Sequence, residues 1–227
     1  MKGLTRYFRV VWQIFIKDLQ AEWHGKQGVA IMLVFSLLTV FLFNFALGLT
    51  PKLQAELVSG VLWISLAFAS TLGFNRSINL ERENSAMDGL LLAPVDRSAI
   101  FFGKSFSNFT FSFLVALVLL PLLSLFYQQK LLNLALIGIV VLGLGAYSSL
   151  GTFLSALSIQ ARTRDVLLPV MLYPLALPIL VAAVEASRGV INSLPFSEFQ
   201  SWVSVLIAGN ILFIAAGLVL FETLLEE

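Results

Sequence analysis

Six long apolar runs dominate this sequence, at about 29–49, 57–75, 99–126, 131–159, 166–184 and 203–221. A helix needs about 20 apolar residues to cross the hydrocarbon core of a bilayer, and each run meets that requirement. In lipid every backbone N–H and C=O must be satisfied within its own segment, so runs of this length fold as helices. The third and fourth exceed the minimum and are expected to tilt or to extend beyond the core. Charged residues make up 12% of the 227, about half the share usual in soluble domains. The expected fold is therefore all-α: one integral membrane domain over residues 1–227, with six transmembrane helices.

Charge is concentrated between the runs. The stretch 75–104 holds Arg76, Glu81, Arg82, Glu83, Asp88, Asp96, Arg97 and Lys104. An ionised group at mid-bilayer costs about 3 kcal/mol or more, so this cluster lies in water. The spacing predicts a separate short helix from Arg76 to about Ala93, ended by Pro94, with Asp96 or Ser98 capping the next helix. On it Met87, Leu90 and Leu91 recur at helical spacing, opposite Glu81, Asn84 and Asp88. Segment 76–98 thus reads as an amphipathic element presented to a partner, or as a solvated loop with a lipid-facing stripe.

Residues 1–27 read as an amphipathic helix lying in the interface. Phe8, Val11, Trp12, Phe15, Ile16 and Leu19 form one stripe; Arg6, Arg9, Gln13, Lys17 and Gln20 form the other. Charges throughout this segment rule out a cleavable signal. Eleven of the 14 Lys and Arg lie in the N-terminal segment, the 76–104 stretch and the 160–165 loop. By the positive-inside rule these regions face the cytoplasm, and with six spans the C-terminus joins them.

The fourth run carries the small-xxx-small pairs Gly145/Ser149 and Gly151/Ser155, which fit close packing within the chain or a dimer seam. The fifth carries Pro169, Pro174 and Pro178, expected to bend or locally unwind it and to mark a passive kink or a pathway.

Several chemistries are excluded. With no cysteine there is no thiolate metal site and no cysteine nucleophile. No Asp, Glu, Lys, Arg or His lies deep in a span, so a directly ion-coupled transporter is disfavoured. Gly103-Lys104-Ser105 imitates the end of a phosphate-binding loop but lacks the glycine five positions earlier, where Ser98 stands. Lys104 reads instead as a lysine snorkelling back to the interface. His24, the only histidine, sits beside Trp23 and reads as an anchor rather than a haem ligand. No cofactor, metal or nucleic acid is expected on this chain, and no catalysis.

In order and spacing the chain resembles the CcmB family, the permease-like membrane subunit of the ABC-type haem exporter of cytochrome c maturation. The resemblance rests on Trp63, then Asp88-Gly89-Leu90-Leu91-Leu92-Ala93-Pro94 and Lys104, on Leu167-Leu168 leading to Pro174-Leu175-Ala176-Leu177-Pro178, and on Lys17-Asp18-Leu19 with Glu22. The chain departs at Ser85, where the family often has glycine. The resemblance implies a bacterial inner-membrane protein with a partner ATPase that binds ATP, and a second copy of the chain. It also implies further cytochrome c maturation membrane subunits, a periplasmic haem chaperone, and haem as cargo. Arg76, Glu81, Arg82, Glu83, Asp88 and Pro94 would then couple to the ATPase. A permease of the same architecture for a lipid, polysaccharide or drug, and a non-transporting scaffold, are the alternative readings.

Overall fold

A computed structural model describes residues 2–25, 27–47, 51–83, 96–158 and 164–224 of the chain. These form seven helices: α1 Lys2–Gly25, α2 Gln27–Leu47, α3 Pro51–Glu83, α4 Arg97–Phe126, α5 Leu134–Ser158, α6 Arg164–Ile191 and α7 Phe196–Leu224. No strand occurs among the described residues. Among the described residues six stretches are long and apolar enough to cross a membrane: Gln27–Ala46, Glu56–Ser77, Arg97–Phe126, Leu134–Leu157, Leu167–Ile191 and Phe196–Val219.

The six expected spans are present, but several ends move. The fifth continues to Ile191, past Glu185 and Arg188, which pair at 3.7 Å on its outer turns. The sixth starts at Phe196 rather than 203, and the fourth at Leu134 rather than 131. Charge marked the limit of the apolar runs, yet a helix extends beyond the hydrocarbon at little cost once its side chains reach water. The same reason overturns the separate helix expected from Arg76. α3 continues unbroken to Glu83, since no glycine or proline follows Gly73 before Gly89.

α3 and α5 form the centre of the bundle. Their apolar stretches are 67% and 61% buried, against 17% in α2 and in α7. The core gathers Val58, Leu62, Trp63 and Leu66 of α3 with Val115, Leu119 and Leu123 of α4, Val140 and Leu144 of α5, and Ile179 and Ala182 of α6.

The helix ends are set locally. Asn133 caps α5 by accepting the Leu136 N–H at 2.7 Å. After α6 the chain turns back at Ser193, whose φ of 54° is left-handed. There the Leu194 N–H bonds to the Gly189 carbonyl and the Ser193 N–H to the Val190 carbonyl, a Schellman closure. Asp96 occupies the N-cap position of α4, but its side chain makes no capping bond, and Ala99 N–H bonds to the Asp96 backbone carbonyl instead.

Prolines do not unwind α6, which runs helical through Pro169, Pro174 and Pro178. The rings of Pro174 and Pro178 lie on the exposed side, where a missing N–H leaves the packed face intact.

Candidate functional site

The charged end of the bundle is where α1, the start of α2, the far end of α3 and the start of α4 meet. α1 packs along α4: Ile14 and Phe15 are buried, and the tilted rings of Phe15 and Phe106 meet with centroids 4.8 Å apart. Gly103 lets the helices touch, since a Cβ there would lie 2.8 Å from the Ile14 side chain and 3.1 Å from the Val11 carbonyl. The expected apolar stripe on α1 is therefore divided. Phe15 turns to α4, while Phe8 and Trp12 remain more than half exposed.

Beside this contact Lys104 Nζ donates to Asp18 Oδ2 at 3.2 Å, with the side chains 8% and 11% exposed. Lys17 lies 3.2 Å from the other carboxylate oxygen. Lys104 thus does not snorkel to an open interface, because α1 covers it and supplies its counter-charge. One turn further on, Glu22 Oε1 accepts the Val29 N–H at 2.7 Å, capping α2 from the neighbouring helix. A side chain at Gly28 would meet that carboxylate at 2.6 Å. The Arg76 guanidinium donates to Gln27 Oε1, tying the end of α3 to the first turn of α2.

Of the six coupling candidates, Arg76 is anchored in this way. Glu81, Arg82 and Glu83 fall in the last turns of α3. Asp88, Pro94 and most of the expected amphipathic segment lie outside the described residues.

The small residues of the fourth span face other helices of the same chain. Gly145 lies beneath Asn210 of α7, whose amide donates to the Leu142 carbonyl at 2.8 Å. Ser149 meets Ser105 of α4 at 3.2 Å. Gly151 seats the Phe74 ring, Gly143 seats Trp63, and Ser155 is buried. Sequence reasoning passed over the polar partners that complete this seam. The Trp63 indole N–H donates to Ser187 at 2.9 Å, Asn108 donates to Thr152 at 2.9 Å, and Thr71 and Tyr147 hydroxyls meet at 2.9 Å. Their signal was polar side chains inside apolar runs, which must find partners in lipid.

Towards the opposite end, a cavity of about 350 Å³ opens between α3 and α6, with Trp63, Ile64 and Phe68 on one wall and Tyr173, Val181 and Glu185 on the other. Its lining is almost wholly apolar.

Among the described residues no group of three His, Asp or Glu side chains is placed to hold a metal ion. His24 Nδ1 sits 2.8 Å from the Gln20 carbonyl of its own helix. The Met32 sulfur packs against Gly73.

The family described as CcmB protein matches residues 9–221, nearly the whole chain. The chain belongs to the CcmB family. It is similar to Heme exporter protein B of Rhodobacter capsulatus, 30% identical over 173 residues, covering 76% of this chain and 79% of the relative. It is also similar to Heme exporter protein B of Escherichia coli K12, 25% identical over 203 residues, covering 88% and 91%. The protein of that name from Bradyrhizobium diazoefficiens is 26% identical over 202 residues, covering 88% and 90%. In this CcmB chain Asp18, Glu22, Trp63 and Lys104 all make side-chain contacts between helices.

Proposed function

We propose that this chain is the membrane subunit of an ATP-driven ABC complex that delivers haem for cytochrome c maturation in a bacterial inner membrane. The observation that carries the proposal is its similarity, over most of its length, to proteins named Heme exporter protein B. Asp, Glu, Lys and Arg side chains in the described spans lie within about two turns of a helix end, so a coupling charge inside the membrane is not provided. Directional work is then driven from outside, by a partner ATPase that binds and hydrolyses ATP. The complex contains a second copy of this chain and other cytochrome c maturation membrane subunits, and hands haem to a periplasmic chaperone or releases the loaded chaperone. Haem is cargo, with its axial ligands on a partner.

The charged end faces the cytoplasm, where Lys and Arg accumulate, and α1 lies along that surface. α3 and α4 bracket residues 84–95, so a partner that grips this segment pushes on both helices as rigid bodies. Arg76 passes that displacement to α2, and Lys104 passes it to α1.

Deletion of the gene tests the assignment. The expected result is loss of c-type cytochromes with haem-loaded chaperone accumulating. Normal cytochromes with a defect in a surface lipid or polysaccharide would favour a permease for another substrate. Glu81→Lys with Glu83→Lys is expected to weaken co-purification of the ATPase while leaving membrane insertion intact. Undiminished co-purification at physiological salt would remove these residues from the interface.

A further inference from the structure

On α1 the two signs of charge are sorted by direction. Its only acidic residues, Asp18 and Glu22, both point into the protein, one towards Lys104 and the other onto the Val29 N–H. Arg6 and Arg9 are exposed on the opposite side, while Lys17 flanks the inward side and pairs with Asp18 at 3.2 Å. Between the two sectors lies an apolar wedge: Phe8, Trp12 and Trp23 are 63%, 56% and 74% exposed. An ordinary amphipathic helix has two faces, whereas this one has three, and its outward charges are all positive.

We propose that the outward side of α1 is a docking surface for anionic phospholipid headgroups, with Arg6 and Arg9 on the phosphates and the Phe8–Trp12–Trp23 wedge at the acyl boundary. Charge complementarity selects the occupant, since a cationic row beside exposed tryptophans matches the layer where phosphate and hydrocarbon meet. A zwitterionic surface offers the wedge equal depth but no net attraction. The inward clamps give the docking a consequence. Asp18 and Glu22 hold α1 against α4 and α2, so leaflet charge acts on the position of both spans. This inference rests on the reading of α1 as lying along the bilayer.

The test uses the full chain in nanodiscs, and two measurements separate the inference from that reading. Location is read from quenching of tryptophan fluorescence by brominated lipids in a Trp202→Phe background, where the remaining Trp63 is buried. Strong quenching of Trp12 and Trp23 is expected, and its absence means that α1 does not lie on the bilayer. Charge preference is read from the association of spin-labelled phosphatidylglycerol relative to phosphatidylcholine. The native chain is expected to favour the anionic lipid, less so in about 0.5 M salt, where screening acts within a few ångströms. Arg6→Gln with Arg9→Gln is expected to lower the preference by up to roughly fivefold per cation, and Arg6→Lys with Arg9→Lys to retain it. Quenching with no anionic preference, or with a preference unchanged in the glutamine variant, overturns the docking surface while leaving the location in place.

Discussion

Lys104 and Asp18 meet at 3.2 Å with neither side chain more than 11% exposed, although 86 residues separate them. Removing one partner of a buried pair strands the other charge, which costs about 3 kcal/mol or more. Asp18 also has Lys17 at 3.2 Å, so the carboxylate joins two cations. Asp18→Ala is therefore expected to destabilise the chain by about 3 kcal/mol, and Lys104→Met to destabilise it as well. The double variant is expected to lose less than the sum. Reversible unfolding in mixed micelles measures all three, and a loss in the double variant equal to the sum of the single losses would contradict the coupling.

Glycine seats for aromatic rings give a second prediction. A Cβ at Gly143 would lie 2.2 Å from Cη2 of Trp63, whose indole is pinned by Ser187. At Gly151 it would lie 2.2 Å from Cε2 of Phe74. Neither ring can withdraw without opening the core, so Gly143→Ala and Gly151→Ala are expected to cost about 1–3 kcal/mol each. Gly138 has nothing within 4 Å, and Gly138→Ala is expected to be neutral or to stabilise by up to about 1 kcal/mol. Thermal unfolding of the three variants side by side would show the contrast or its absence.

The turn after α6 holds Ser193 at a φ of 54°. A side chain in the left-handed region costs roughly 1 kcal/mol relative to glycine. Ser193→Gly is expected to raise the unfolding temperature, and Ser193→Val to lower it. A Ser193→Gly variant no more stable than the parent would mean that the Schellman closure does not limit stability there.

Because the chain has no cysteine, single cysteines report topology cleanly. Ser85→Cys and Ser98→Cys are expected to react with membrane-impermeant maleimide only from the cytoplasmic side, and Ser193→Cys only from outside. Labelling of position 85 from outside would invert the orientation.

The spans were legible because hydropathy and helix length are local properties. Their ends were less so, since Glu185 and Arg76 read as limits of lipid but are not limits of helix. Gly145 and Gly151 announced close packing without saying that Asn210 and Phe74 would fill the space. The pairing of Asp18 with Lys104 had no signal along the chain, since a carboxylate on a largely basic helix gives no direction to its partner. What positions the charged end is long-range and polar, and single-sequence periodicity carries little of that.

α5 receives Trp63 and Phe74 from α3, Ser105 and Asn108 from α4, and Asn210 from α7. Helices leave the ribosome in order, so α3 and α4 reach the bilayer before the surface they lock into exists. During synthesis the early half waits, with its aromatic side chains and buried-to-be hydroxyls turned to lipid or to the insertion machinery. Biogenesis of this protein is thus gated at its fourth span, and a nascent chain stalled before Leu134 would be a ready substrate for membrane quality-control proteases.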